Sequence, residues 1–365
     1  MGSGRPSWPR SPRWAFGFFK QEKAMPELVL DIFNEDAFSL SQLILGLEKV
    51  PYLPTTLGDM GLFEAVYLVG TDQAVIERQD SVLSLVQTSE RGAPVQRADA
   101  PSSRRDIRSF SCPRLHETDE VTAAELFRMR AMGVAAGSQT LEAEVQTRLL
   151  RRRRNIEYTW ENMRLGALQG VVLDKDASVI RDWYQEWAIA KPAEINFALG
   201  TEATDVRKKC SDVRRAMIRA AKGAFVANTT VHALAGDGFY DALINHPQVR
   251  RTYEGWSAAA DLRGGAAFES FSYAGITFHN YRGSDDATSV AVASEKAHFF
   301  PMGAVEVFKV VFAPGEKFAH LGQQAVPLYP VVKRDEDDEK LSLDLRSYPL
   351  FMCLKPEVLQ RAKAG

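Results

Sequence analysis

The strongest helical pattern in this 365-residue chain lies in residues 141–168, which read LEAEVQTRLLRRRRNIEYTWENMRLGAL. Large apolar side chains recur there three, four or seven positions apart, and this spacing places them on one face of an α-helix. They are Leu141, Val145, Leu149, Ile156, Trp160, Met163 and Ala167. At about 1.5 Å per residue the helix would be about 40 Å long. We therefore predict a long amphipathic helix that ends at Gly170 and serves as the spine of a flat subunit.

A run of four arginines, Arg151 to Arg154, lies inside this helix. Consecutive residues point in different directions around a helix, so the four guanidinium groups cannot share one face. We interpret them as solvated, or as salt-bridging between subunits. A nucleic-acid-binding or nuclear-localisation patch is the alternative.

Before this helix the sequence predicts extended segments and a β-hairpin. Residues 26–63 are interrupted by prolines and glycines and favour at most one short helix, Phe38 to Leu47. The polar stretch Thr88 to Arg108 has few large apolar residues and cannot bury a core of its own. Strand patterns flank it at Val66–Val69, Gln73–Arg78, Val82–Gln87 and Ile107–Cys112. We predict a hairpin with an extended tip.

A second helix pattern follows Thr201 or Thr204, either of which can cap it. Its apolar stripe reads Val206, Cys210, Val213, Met217 and Ala220, and we expect the helix to end at Gly223. The opposite face is basic and carries Arg207, Lys208, Lys209, Arg214, Arg215, Arg219 and Lys222. An ordinary solvated face explains these cations, and contact with the phosphates of a nucleic acid is the alternative.

The remainder of the chain alternates strand and helix patterns, which predicts a mixed α+β fold. A helix is expected near Gly238 to His246. Strands are expected at Phe225–Val231, Tyr273–Tyr281, Val305–Phe312, Val326–Val332, Leu341–Leu345 and Leu350–Leu354.

Composition limits the classes of function. The 45 basic and 47 acidic side chains give a formal charge of −2, so any charge-based function must be local. The cysteines, Cys112, Cys210 and Cys353, are far apart and are read as reduced thiols. No stretch approaches the roughly 20 apolar residues that cross a bilayer. Residues 1–25 read as a disordered or additional segment, which leaves Met1 and Met25 open as the start.

Sequence motifs of catalysis are missing. The chain has no phosphate-binding loop, no dinucleotide glycine fingerprint, no serine elbow and no histidine pair at helical zinc-binding spacing. His116 and Glu117, with Asp119 and Glu120, could hold a cation, but they read better as a solvated polar connector. Turns explain Asp285-Asp286 and Asp237-Gly238. We therefore assign no catalytic, cofactor-binding or metal-binding residue.

Several blocks of the sequence, in this order, resemble the major capsid protein E family of lambda-like phages. They are FSLSQLILGLEKVPYLPTTLGDMGLFE from Phe38, MRLGALQGVVLDKDASVI from Met163, TDVRKKCSDV from Thr204, YAGITFHNYRG from Tyr273, FPMG from Phe300, FAPGEKF from Phe312 and YPLFMCLKPEVL from Tyr348. The resemblance covers about residues 26–360 and rests on the order of the blocks.

The resemblance implies the capsid fold that tailed phages share with herpesviruses. It implies an N-terminal arm, an extended β loop, a peripheral domain with the spine helix, and an axial domain. The corresponding residues are 26–63 for the arm, 64–118 for the loop, 119–200 with the C-terminal strands of 325–365 for the peripheral domain, and 201–324 for the axial domain.

The resemblance also implies the function and the partners. Copies of the subunit would form pentamers and hexamers of an icosahedral head around double-stranded DNA, assembled in the host cytoplasm. Scaffold, portal and decoration proteins are implied partners, and a membrane is not. The family brings no catalytic residues.

Three other interpretations stay open at this stage. The first is an encapsulin-like compartment or gene-transfer particle. The second is a DNA-binding protein that uses the basic helices and binds with a steep salt dependence. The third is an enzyme whose site is assembled from distant residues.

Deleting residues 88–106 is expected to leave a folded subunit that no longer closes shells, because this segment contributes little apolar area to its own domain. Thermal unfolding and sedimentation of the deletion variant test the expectation. A variant that fails to fold, or that still closes normal shells, would contradict the loop assignment.

Overall fold

The computed structural model describes residues 56–79, 105–125, 127, 138–252, 270–281, 290–337 and 339–365. They form a mixed α+β fold, as predicted. Its helices are α1 (Thr56–Asp59), α2 (Ser138–Gln169), α3 (Trp183–Glu186), α4 (Val206–Ala221) and α5 (Asp237–Asn245). Its strands are β1 (Glu64–Tyr67), β2 (Gln73–Gln79), β3 (Arg105–Ser111), β4 (Leu115–Thr122), β5 (Val171–Leu173), β6 (Val179–Asp182), β7 (Ile195–Asn196), β8 (Thr230–Ala235), β9 (Ser270–Tyr273), β10 (Ile276–Asn280), β11 (Lys296–Met302), β12 (Phe308–Phe312), β13 (Tyr329–Arg334), β14 (Lys340–Ser347), β15 (Pro349–Cys353) and β16 (Gln360–Lys363). Short 3-10 helices lie at Phe318–His320 and Pro356–Val358.

The strands pair mainly between segments that are distant in sequence. One sheet has the order β1-β12-β15, a second the order β7-β16-β11-β8-β10-β9, and a third the order β13-β14-β4. The pairs β2-β3 and β5-β6 are two-stranded. One continuous apolar core runs from Leu57 to Ala364 and connects these sheets.

Helix α2 confirms the predicted spine. Its predicted apolar stripe is buried from Val145 to Ala167, with Val145, Leu149 and Ile156 at most 1% exposed. The ring of Trp160 is 8% exposed and packs edge-on against Phe312 of β12, with 5.6 Å between the ring centroids. The stripe therefore fixes α2 on the β1-β12-β15 sheet.

The end of α2 requires glycine, as the sequence predicts. Gly170 has a φ of +82°, in the left-handed region that glycine adopts at low cost. A Cβ atom there would lie 2.3 Å from the ring of Tyr184. One turn earlier, a Cβ atom on Gly166 would lie 2.8 Å from the Cα atom of Val172. The two glycines let β5 and α3 fold back closely against the helix.

The predicted hairpin is formed by β2 and β3, which pair from Gln73↔Ser111 to Gln79↔Arg105. Since β3 already begins at Arg105, the predicted end of the polar stretch at Arg108 is wrong, and a deletion that tests the loop has to stop at residue 104. The expected strand Val82–Gln87 lies outside the described residues. So do the expected helix Phe38–Leu47 and the expected turn at Asp285-Asp286.

The cap of α4 differs from the prediction. Neither Thr201 nor Thr204 is the N-cap, because the carboxylate of Asp205 accepts the backbone N–H of Lys208 at 3.0 Å. The hydroxyl of Thr204 instead donates to the carbonyl of Ala198 at 2.9 Å. The predicted stripe is otherwise correct, except that Ala221 replaces Ala220 as its last fully buried residue.

Several strand predictions were wrong in position. The Phe225–Val231 prediction is displaced to β8, since Val226 and Thr229 bond to each other in a turn. The predicted strand Tyr273–Tyr281 is two strands, β9 and β10, joined at Ala274 and Gly275, both of which have positive φ. The other displacements are Val66–Val69 to β1, Val305–Phe312 to β12 and Val326–Val332 to β13. The expected Asp237-Gly238 turn is the first turn of α5.

Replacing Trp160 with alanine should lower the free energy of unfolding by about 3–5 kcal/mol, because truncation of a buried Trp leaves a cavity. This is a large part of the roughly 5–15 kcal/mol that holds a domain folded. Tyr158→Ala is the matched control, since Tyr158 lies on the same helix and is 38% exposed. Urea unfolding followed by circular dichroism measures both. Equal losses in the two variants would contradict the packing of α2.

Candidate functional site

Two arginines of α2 connect the helix to β4. Arg152 lies 2.9 Å from the Asp119 carboxylate and 3.2 Å from that of Glu117. Arg148 lies 2.8 Å from Glu125 and 2.7 Å from Glu144. The cluster joins the helix to a strand that follows the β2-β3 hairpin.

This cluster corrects two predictions. Arg151 and Arg154 are exposed, as expected of solvated arginines. Arg152 instead pairs within its own subunit, because both of its partners belong to β4. Arg153 likewise pairs with Glu157 one turn along the helix, at 2.6 Å. The residues read as a polar connector, 116–120, form part of β4, whose pairing with β14 runs from Leu115↔Ser347 to Thr122↔Lys340.

The electrostatics of the cluster favour its charged form. Burial alone would raise the pKa of the Asp119 carboxyl, but hydrogen bonds from Arg152 and from the backbone of Glu120, with the charge of Arg148, lower the pKa overall. The hydrogen bond to Asp119 raises the pKa of Arg152. The carboxylate is therefore stabilised as an anion in the folded state.

A second polar cluster centres on Asp344 of β14. The hydroxyl of Thr118 donates to this carboxylate at 3.0 Å, and His116 Nε2 lies 3.3 Å from it. Lys333 and Arg346 lie 3.3 and 3.1 Å away. The side chains of His116, Glu117 and Asp119 are thus engaged with a neighbouring strand or with α2, whereas Glu120 is exposed. Among the described residues, no three His, Cys, Asp or Glu side chains converge in a possible metal site.

The thiols are poorly suited to nucleophilic chemistry. Burial raises the pKa of Cys112 to about 12 and that of Cys210 to about 12. Burial also raises the pKa of Cys353, which is fully enclosed. The thiolate is the reactive form of cysteine, and the raised pKa values disfavour it in these three side chains at neutral pH.

Two histidines face each other on the six-stranded sheet. His232 Nδ1 lies 2.9 Å from His279 Nε2, and His232 Nε2 lies 2.9 Å from the hydroxyl of Thr230. Burial lowers the pKa of His232, and burial together with His232 lowers the pKa of His279 to about 4. The pair is therefore neutral at pH 7 and joins β8 to β10.

Glu161 is a buried carboxylate that sequence reasoning missed. It is 2% exposed, and it accepts the backbone N–H of Leu57 at 2.8 Å and the hydroxyl of Tyr281 at 3.2 Å. Arg164 pairs with it from the next turn of α2 at 3.3 Å. Its partners are 104 and 120 residues away, so no local pattern signals the role. Glu161 fastens α1 and the residue after β10 to the spine.

The outer face of α4 is the most strongly basic surface of the described helices. Its exposed cations include Arg207, Lys208, Arg214, Arg215 and Arg219. Asp212 is the one acid within the helix sequence, and it lies 3.7 Å from Arg215. No helix in the described part of the chain is long and apolar enough to cross a membrane.

Comparison with known proteins gives one consistent result. A family model described as phage major capsid protein E matches residues 39–364. The chain is 25% identical over 362 residues to the major capsid protein of Salmonella phage Felix O1 (isolate Felix O1-VT1), covering 91% of this chain and 97% of that protein. It is 24% identical over 332 residues to the major capsid protein of Pseudomonas phage KPP10, covering 84% and 92%.

A solved structure supports the fold. The capsid asymmetric unit of cyanophage Pam1 matches with a TM-score of 0.50 at 9% identity, over 86% of this chain and 94% of that one. The predicted capsid fold is therefore confirmed.

Replacing Arg152 with alanine should lower the free energy of unfolding by about 1–3 kcal/mol at pH 7, because hydrogen bonds to charged groups are lost. The folded-state pKa of Asp119 lies below its ordinary value of 3.8, so the stabilisation is present above that value and disappears as the pH falls through the lowered one. The difference in the free energy of unfolding between Arg152→Ala and the parent should therefore become smaller in acid. Urea unfolding at pH 7 and pH 3 measures it.

The exposed Arg154 supplies the control, since Arg154→Ala should change stability by less than about 0.5 kcal/mol. Equal losses for Arg152→Ala and Arg154→Ala, or a gap that does not change with pH, would show that the β4 contact contributes nothing.

Proposed function

Because this chain belongs to the phage major capsid protein E family, we propose that its copies assemble into pentamers and hexamers of an icosahedral head that encloses double-stranded DNA. The observation that carries the proposal is the family match over residues 39–364. The β2-β3 hairpin supports it, since only one of its faces is packed on its own subunit. Phe110 on that face contacts Trp183 and Trp187, whereas Val75 and Ile107 on the other are 67% and 63% exposed.

We propose the division of the chain that the resemblance implies. Residues 26–63 are the arm, 64–118 the extended loop, 119–200 and 325–365 the peripheral domain, and 201–324 the axial domain, with 1–25 as an additional segment. Support comes from the six-stranded sheet, in which β8, β9, β10 and β11 all come from 201–324. Strand β16, from 325–365, pairs with β11 in this sheet, and β12, from 201–324, pairs with β15 in the β1-β12-β15 sheet. Such crossing strands would hold the two domains in a fixed relation.

The role is structural and not catalytic. Support comes from the three thiols, whose raised pKa values keep them protonated, and from the neutral pair of His232 and His279. Two of the three acids of β4, Glu117 and Asp119, are bound to Arg152. We assign no catalytic, cofactor-binding or metal-binding residue.

The DNA is held by charge alone, without sequence recognition. The exposed cations of α4 supply this contact, because a row of basic side chains matches the closely spaced phosphates of a duplex. Scaffold, portal and decoration proteins are the other partners, and assembly takes place in the host cytoplasm before the subunit becomes part of the virion.

Expression of the chain alone should give uniform shells or capsomer rings, visible by negative-stain electron microscopy and sedimenting far faster than a 40.6 kDa monomer.

The amount of nucleic acid that purified particles protect from nuclease should fall when Lys208, Arg215 and Arg219 are replaced together with glutamine. Replacement of Lys175, on the β5-β6 turn, is the control. A soluble monomer that binds duplex with a steep salt dependence would instead indicate a DNA-binding protein.

A further inference from the structure

Two large apolar side chains project from the loop between β12 and β13. Phe318 is 93% exposed and Leu321 is 70% exposed, and we call this pair the apolar knob. The backbone of the loop is nevertheless ordered, since the N–H of His320 bonds to the carbonyl of Lys317 at 2.9 Å. The ring of His320 packs against Tyr329, with 4.8 Å between centroids. The knob is thus presented to solvent on a supported turn, which is typical of a contact surface.

A groove of about 710 Å³ lies elsewhere on the subunit. Its lining is mixed and comes mainly from the start of β1, the end of β11 and the start of β12. The apolar side chains are Leu62, Phe63, Met302, Ala304, Val305 and Phe308, and the polar ones are Glu64, Asn228, Thr230, Glu306 and Lys309. A phenylalanine and a leucine side chain together are small enough to enter a space of this size.

The knob and the groove lie at opposite ends of one sheet. β1 and β12 are parallel, and the register runs from Glu64↔Lys309 at the groove end to Tyr67↔Phe312 at the other end. Beyond that second end Gln324 bridges to Val69, so both ends of the knob loop are attached there. A knob held at one end of the sheet cannot reach a groove at the other. A second molecule has to supply the matching part.

The charged residues beside the knob differ in sign from the exposed charge at the groove. Lys317 adjoins the knob, and no carboxylate of the described residues lies within ion-pair distance of it. Burial and the nearby charges of Lys333 and Arg346 lower the pKa of Lys317. Three charged residues line the groove, of which Lys309 lies 3.8 Å from Glu64, while Glu306 is exposed and has no ion-pair partner within the described ranges. An unpaired cation beside the knob and an unpaired anion beside the groove are complementary.

We propose that the apolar knob of one copy enters the groove of a second copy, with Lys317 facing Glu306, so that subunits join head to tail. The inference rests on the proposed assembly and adds the two surfaces that make one of its contacts. A head-to-tail contact uses two different surfaces of each copy and forms a ring when its rotation closes. Each contact is small, but a ring multiplies its effect.

A charge exchange tests the pairing. Lys317→Glu and Glu306→Lys, each alone, should lower the yield of rings or particles about tenfold or more, because like charges then meet at every contact. The double variant should restore assembly to within about threefold of the parent, because the pair is reversed but complementary. Lys175→Glu, at an exposed site on the β5-β6 turn, is the matched control and should assemble normally. Thermal melting of each subunit should be unchanged.

Cysteine pairing tests the same contact without removing Phe318. Leu321→Cys combined with Val305→Cys should give disulfide-linked multimers on a non-reducing gel, whereas either substitution alone should not. Leu321→Cys with Val179→Cys is the control, since Val179 is 60% exposed on β6 and away from the groove. Equal crosslinking in the control pair would overturn the inference.

The outcomes separate the two proposals. A parent chain that forms neither rings nor particles overturns the proposed function, and the knob contact with it. A parent that assembles while the double charge variant stays as defective as the single variants, or gives no specific crosslink, overturns only the knob contact.

Discussion

The burial of one face of α2 is the constraint on which the rest of the subunit depends. The helix is 32 residues long, and its stripe from Val145 to Leu168 contacts strands from both halves of the chain. Trp160 contacts Phe312 and so holds the β1-β12-β15 sheet against the helix. Gly170, at the end of the helix, lets the chain fold back along it. Because most helical stability in proteins comes from such packing, the spine and its sheets form together or not at all.

Local pattern was enough for elements whose residues are buried on one face. The apolar stripes of α2 and α4 are visible in the sequence because buried apolar residues recur about once per turn of an amphipathic helix. Strand ends were harder to predict. β8 was misplaced because Phe225 and Val231 flank a turn that has a strand-like composition, and only the pairing with β10 and β11 fixes where the strand begins. Positive φ at Ala274 split a predicted strand without any sequence signal beyond the glycine after it.

The polar connections could not be read from sequence for a different reason. Glu161 and Arg152 act through partners on other elements, and the meaning of a buried charge depends on what faces it. Arg152 was expected to be solvated or to contact another subunit because a run of arginines on a helix normally is. Asp119, its partner, lies 33 residues earlier in the chain. The pairing of β4 with β14 holds the Asp119 strand beside the helix. The long-range topology therefore determines the chemistry of these side chains.

The same topology determines what remains available for contacts with other copies. Exposed large apolar side chains occur on several elements, and the most exposed of them in the described residues include Val75 and Ile107 on the hairpin and Phe318 and Leu321 on the loop after β12. These two surfaces differ in physical character. The hairpin face of Val75 and Ile107 is part of a ribbon that has only two strands among the described residues, and such a ribbon can adapt to a neighbour. The knob of Phe318 and Leu321 is held on a packed turn at one end of a sheet whose other end is a groove. A rigid contact of that kind sets an angle between neighbours, and an adaptable contact tolerates several angles. A closed shell needs both, because pentamers and hexamers place the same subunit at different angles to its neighbours.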